Sequence, residues 1–414
     1  MAERPRRVIP VVVYNGKFHE LKDDEYRLLT EVFESAGNQQ KKAPFESRWR
    51  EVKYKIKQLK PIAFLLINFY TALVAVRKKN KWVGHASVNP LPINVTEQDV
   101  VLLMDAFWPP HLDTESAARW LTGCGGKMLL LVHDLIPMLR PPPTDLVGKF
   151  IFMKRLMSLA ALSSQNLVVS QDQLNKIKKH LPSVDDRKFK VIHLGADGPR
   201  GGEKLGDAAE ARWKRESNNI LMVGSLAERK GHNVVLQAFD ELYASGHRQL
   251  QLIIAGDTVP ATGRIKKIID GSIPVPPYLK LLGKVSDETL AGLYMQASAC
   301  IFASNDEGFG IPLWEAQHFR TPVIASDIPI FRELGNRNVT YFECGNSLQL
   351  ADILRRHTYE FAEVELRTWG HFAAEISNIV DSLIYHQPWR VESAGGSCTP
   401  ISKKADEVQA LEMP

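Results

Sequence analysis

Short apolar runs bounded by turn residues recur along the chain. In the first half they are Val8 to Tyr14, Val100 to Met104, Met128 to Val132, Leu167 to Val169 and Phe189 to His193. In the second half they are Asn219 to Val223, Leu250 to Ala255, Leu279 to Leu282, Ala299 to Ala303, Pro322 to Ser326 and Thr340 to Phe342. Apolar at consecutive rather than alternate positions, such runs read as strands buried on both faces, the condition of parallel sheets. Helical stretches lie between them, among them Gln171 to His180, Asn233 to Tyr243 and Asp287 to Gln296. Strands alternating with helices predict an α/β chain of doubly wound parallel sheets.

The polar, glycine-rich stretch Leu194 to Lys204 divides this series in two. The predicted organisation is one Rossmann-like half over 1–197, a second over 198–370 and a helix over 371–391, with the helical pattern itself starting at Leu366. The small, polar and charged tail 392–414 lacks helical periodicity until a weak stretch near its end and is expected to be disordered. Two such sheets place a ligand in the cleft between them.

Composition narrows the class. At 414 residues with 44% hydrophobic and 24% charged positions, the chain suits a globular protein of two domains. A net charge of +5 favours anionic ligands or membrane surfaces, and no arginine stripe with interleaved aromatics argues for nucleic acid. Cys124, Cys300, Cys344 and Cys398 form no C-x-x-C pair, which points to a reducing, cytoplasmic compartment. The segment 48–79 is the other candidate surface. Arg48, Arg50, Lys53, Lys55, Lys57 and Lys60 alternate with apolar residues, and Pro61 to Val76 then runs apolar up to Arg77. That run falls short of the ~20 residues of a membrane span. It reads either as a core helix preceded by a solvated one or as a peripheral contact with the inner membrane face.

Three loops carry candidate chemistry. Asn305 to Ala316 follows a strand and holds Glu307 and Glu315 on either side of Gly308-Phe309-Gly310-Ile311-Pro312. Pro312 fits the first turn of a helix, whose open N–H groups and positive dipole end face an anion. Carboxylates on either side suit a ligand with hydroxyls at both ends and a diphosphate between. Gly224 to His232 leads from another strand into a helix, and Lys230 there would reach a diphosphate at the mouth of the sheet. Lys127 to Pro137 is a buried strand that delivers His133 and Asp134 to its carboxyl end, where open sheets bind ligands. Asp134 has a second reading, closing its own turn. A further loop, Lys284-Val285, precedes Ser286 as a helix N-cap with an acidic first turn.

Glu307 and Glu315, followed by Thr321 to Pro329 and Arg332-Glu333, resemble the nucleotide-sugar signature of retaining GT-B glycosyltransferases of family four. Val101 to Trp108 is similar to a strand and loop of the bacterial polysaccharide mannosyltransferase-like members. The resemblance implies Glu307 at the donor sugar, Glu315 on the ribose, and the amides of Gly308, Phe309, Gly310 and Ile311 on sugar and phosphate. It implies Lys230 as the cation on the leaving diphosphate and His133 against donor sugar and phosphate. The backbone of Lys284 and Val285 would lie beside the base, and Asp105 and Trp108 on the acceptor side. Where relatives carry an arginine just after the first glycine this chain has Ser225, and Arg229 would supply that charge.

The chain also departs from the pattern at its start: either Tyr14-Asn15-Gly16 replaces the family's first glycine loop, or the chain is an incomplete member lacking part of its first sheet. The implied activity is transfer of a hexose, mannose from GDP-mannose, to a glycan or lipid-linked acceptor. Alternatives are a nucleotide-sugar epimerase of the same fold and an inactive nucleotide-sugar-binding scaffold. No Asp-x-Asp is present, so no metal is required, and no cofactor is expected besides the donor as substrate.

Overall fold

The computed structural model describes residues 11–14 and 17–20 (backbone), 95–104, 113–139, 146–198, 218–258, 261–335, 339–356, 358–359, 361 and 367–385. The segment 48–79, Asp105, Trp108 and the tail 392–414 lie outside them.

Strands β1 (Val11–Tyr14) and β2 (Lys17–Glu20) come first, followed by β3 (Val100–Leu103), α1 (Thr114–Gly123) and β4 (Lys127–Val132). Next are α2 (Ile136–Leu139), α3 (Leu146–Leu162), β5 (Gln165–Val168), α4 (Gln171–His180) and β6 (Phe189–Val191). The second half opens with β7 (Asn219–Val223), α5 (His232–Ala244), β8 (Gln251–Ala255), α6 (Gly263–Ile269), β9 (Leu279–Gly283) and α7 (Asp287–Gln296). It continues with β10 (Ala299–Phe302), α8 (Ile311–His318), β11 (Val323–Ser326), α9 (Pro329–Leu334), β12 (Val339–Phe342) and α10 (Ser347–Arg356). Helix α11 (Trp369–Tyr385) is last.

Strands β3 to β6 form one parallel sheet in chain order. The second sheet is six-stranded, in the order β12-β11-β10-β7-β8-β9, and parallel throughout. Its two wings wind in opposite directions from β7 and β10, so the switch point lies between those two strands. Loops leaving their carboxyl ends diverge and open a crevice.

Each sheet is covered on both faces, as runs without alternation require. In β4, Leu129 and Leu131 join one core while Met128, Leu130 and Val132 join another. In β10, Cys300 and Phe302 face that first core, and Ala299 and Ile301 face a third. The first core spans both halves: Leu129, Leu167, Val169 and Leu194 share it with Phe309, Trp314 and Phe331. Helix α11 adds Phe372, Ile376 and Ile379 to the same core, one apolar stripe at helical spacing. Its first turn is held by the crossing segment, where Asp197 Oδ1 accepts from Trp369 N at 3.0 Å. Gly195 is required there, because a Cβ would lie 2.2 Å from Trp369 N.

One expected strand takes a different role. The described part of the run beginning at Val8, Val11–Tyr14, pairs antiparallel with Lys17–Glu20, Tyr14 opposite Lys17. The two residues between them, Asn15-Gly16, are the pair that a tight hairpin turn favours.

Candidate active site

The two loops that diverge at the switch point meet around one carboxylate. Helix α5 is preceded by a short 3-10 turn, Glu228–Lys230, closed by Gly231 in the left-handed region at φ 71°. No side chain fits at 231, because a Cβ there would sit 2.1 Å from Ala303 O. This close approach brings Arg229 and Lys230 onto the loop after β10. Lys230 Nζ donates to Glu307 Oε1 at 2.5 Å and Arg229 donates to Glu307 Oε2 at 2.7 Å. Ser304 Oγ adds a third donor at 2.6 Å.

Glu307 is buried. Burial pushes its carboxyl upward, but the charges of Lys230 and Arg229 outweigh that and hold it below the ordinary carboxylate value. Beyond it the backbone turns through Gly310, φ 97°, into α8, with Pro312 in the first turn. The N–H groups of Gly310 and Ile311 have no acceptor within the helix.

Across the crevice, β4 ends at His133. Its Nε2 donates to the Met104 carbonyl at 2.6 Å. Asp134 closes the turn by accepting from Ile136 N at 2.8 Å, and burial raises its carboxyl. Gly308 packs on this loop so tightly that a Cβ would lie 2.5 Å from His133 O.

Between the halves lies a cavity of about 220 Å³. His133, Asp134 and Leu194 line one side; Arg229, Lys230, Glu307 and the stretch Gly308 to Pro312 line the other. Of the residues proposed from sequence, the fold therefore gathers His133, Arg229, Lys230, Glu307, Gly308, Phe309, Gly310 and Ile311. Glu315, Lys284 and Val285 do not line it. Glu315 lies one turn along α8, where Oε2 accepts from Tyr294 OH at 2.8 Å. Burial raises its carboxyl, the Tyr294 hydroxyl opposes, and the charge of Asp287 adds to the rise. Asp287, whose charge is felt at Glu315, follows Lys284-Val285 by two residues.

Sequence reasoning missed the contacts that hold the loops together. Gln173 and Ser170, both buried, donate to the carbonyls of Glu307 (2.9 Å) and Gly308 (3.1 Å). Lys176 Nζ pairs with Asp306 Oδ1 at 2.6 Å. Glu333 accepts from the amides of Gln171 (2.6 Å) and Asp172 (2.9 Å) and contacts His193 Nε2 at 2.9 Å. The signal within reach was Ser170-x-x-Gln173, a capping-box spacing before an apolar pattern.

The fold is the GT-B architecture of glycosyltransferases. Residues 207–357, which hold Lys230, Glu307 and Glu315, match the family of glycosyl transferases group 1, so the chain carries a domain of that kind. Serotype-specific mannosyltransferase WbdA of Escherichia coli is 30% identical over 264 residues, covering 61% of this chain and 32% of that protein. This chain thus spans about a third of that relative's length. O-antigen chain mannosyltransferase RfbU of Salmonella typhimurium is 28% identical over 239 residues, 54% of this chain and 63% of that protein. Among solved structures, sucrose-phosphate synthase from Thermosynechococcus elongatus shares the fold with a TM-score of 0.56 at 17% identity, over 77% of this chain and 79% of that one. A glycosyltransferase from Rickettsia africae does so at 0.51 and 20%, over 80% and 84%.

Proposed function

We propose that the chain is a retaining hexosyltransferase that takes mannose from GDP-mannose and passes it to a glycan or lipid-linked acceptor. What carries this reading is the switch-point cavity, with two cations and an open helix start on one wall and His133 on the other. Mannosyltransferase relatives support the choice of sugar.

The ion pairs of the site set how the donor would be received. Lys230 and Arg229 are both engaged by Glu307. An incoming diphosphate competes for these cations, and its oxygens also meet the N–H groups of Gly310 and Ile311. Glu307 is then released to the sugar hydroxyls, so donor binding and carboxylate positioning are one exchange of ion pairs. As the glycosidic bond breaks, negative charge on the departing diphosphate is met by groups already in place. The acceptor hydroxyl attacks from the departing side, and the diphosphate oxygen takes its proton. His133 and the Gly308 backbone confine the sugar between the halves. Glu315 would hold the ribose, with Lys284 and Val285 beside the base. Protein charges fill the role that a divalent cation plays elsewhere.

Among the described residues no helix is long and apolar enough to cross a membrane. A lipid-linked acceptor would be reached by peripheral contact with the inner membrane face, the basic segment 48–79 being the candidate. The test is thermal shift with GDP-, UDP- and ADP-sugars, where a ligand at 100-fold its Kd adds about 2.7 kcal/mol. Release of GDP from GDP-mannose should then depend on added saccharide acceptor. Epimerised donor, or binding without release, would replace the transferase reading with an isomerase or a scaffold.

A further inference from the structure

We infer that Gln173 is a positioning residue for transfer: its buried amide sets the separation between the His133 loop of one half and the Glu307 loop of the other. This rests on the transferase reading and deepens it.

Ser170-Gln171-Asp172-Gln173 has the spacing of a capping box, in which the fourth side chain normally returns to the amide of the cap residue. Only half of that box forms. Ser170 Oγ accepts from Gln173 N at 3.2 Å. The Gln173 side chain leaves the helix instead. Its Oε1 accepts from Leu135 N at 3.1 Å, and its Nε2 donates to the Glu307 carbonyl at 2.9 Å. Leu135 is two residues after His133, and Gln173 has no exposed surface. The amide has one orientation that works: an N–H only donates and a carbonyl only accepts, so a flip would lose both bonds.

Its neighbours address the same loop. Ser170, Gln173 and Lys176, three residues apart along α4, meet Gly308, Glu307 and Asp306 in turn. Glu333 grips the start of that helix through two backbone amides. Of these contacts, only that of Gln173 reaches both loops. It thereby couples the histidine that faces the sugar to the carboxylate that receives it, without touching the cavity itself.

Gln173→Glu tests this, since it keeps an acceptor for Leu135 and sets a carboxylate oxygen against the Glu307 carbonyl. The kcat for donor turnover should fall about 10²-fold, the size expected of a misplacement near 1 Å. The Kd for GDP should change less than about twofold, because the phosphate-facing groups all belong to one half. Amide exchange at residues 305–310 of the ligand-free protein should rise while β7 and β10 keep their protection. Ser170→Ala, which removes one contact to the same loop, should lower kcat about tenfold, a single buried hydrogen bond's worth. It carries the same three readouts should Gln173→Glu not accumulate folded.

Parental kcat in these variants, or parallel losses of kcat and GDP affinity, overturns the inference. A parent chain that turns over no nucleotide sugar counts against the transferase reading instead. The exchange measurement then decides on Gln173 alone, and equal protection of 305–310 in parent and variant overturns it.

Discussion

The two sheets contribute to the cavity in unequal ways. The six-stranded sheet has a switch point and brings to it Arg229, Lys230, Glu307 and an open helix start. The four described strands of the other sheet run in chain order without one, and add the loop at His133 and Asp134 together with the apolar Val169 and Leu194. Charge is concentrated on one side, and geometry is supplied by the other. The difference teaches that donor affinity should reside in the second half, whereas turnover should need both.

The largest effects belong to the charged wall. Lys230→Ala should cost on the order of 10²–10³ in kcat, ~3–4 kcal/mol of transition-state stabilisation, and weaken GDP binding as well. Glu307→Gln should lose turnover to a similar degree yet bind GDP at least as tightly, because it frees Lys230 and Arg229 from their carboxylate partner. Kinetics beside calorimetric titration of GDP check the pair. If Glu307→Gln weakened GDP as much as Lys230→Ala does, the exchange of ion pairs would be wrong.

The seam between the sheets comes next. Gly308→Ala puts a Cβ 2.5 Å from His133 O, so the Glu307 loop must retreat from the opposite wall. Turnover should drop about 10²-fold with GDP affinity kept. His133→Ala should behave likewise, losing kcat while retaining binding. Glu315→Ala should do the reverse of Gly308→Ala and abolish the donor-induced thermal shift of about 2.7 kcal/mol. A full shift in that variant would remove Glu315 from the ribose role.

Much of this asymmetry was legible in the chain, because its carriers are local. Lys230 follows one strand and Glu307 another within a few residues, and strand ends at a switch point share a crevice whatever the rest does. Buried strands such as Met128 to Val132 and Asn219 to Val223 announced themselves by unbroken apolar runs. The seam was not legible. Glu333 meets Gln171 across 162 residues, and Gln173 meets Glu307 across 134, with no periodicity linking either pair. The first apolar run misled for a related reason: its pattern reports burial, whereas its partner is the adjacent strand Lys17–Glu20, which no apolar run marks.

The smallest effect lies beneath the charged wall. His232 opens α5 two residues after Lys230 and is buried, with neither ring nitrogen in a well-formed hydrogen bond among the described residues. Burial and the charge of Lys230 depress it from 6.5 to about 4, against a weak pull from the Ala227 backbone. The unfolded chain therefore takes up this proton first. Stability should fall as pH drops from 6.5 and stop falling from this cause below about 4. Between roughly pH 6 and 5 the loss should be about 1 kcal/mol. Glu307 works in a separate window: held below the ordinary 4.5, it withdraws its stabilisation only in more acid solution. Urea unfolding of the parent and His232→Leu from pH 7 to 5 should show the slope in the first and a flatter line in the second. Equal slopes would mean that the protons are taken up elsewhere, and that the region under Lys230 tolerates a charged imidazole.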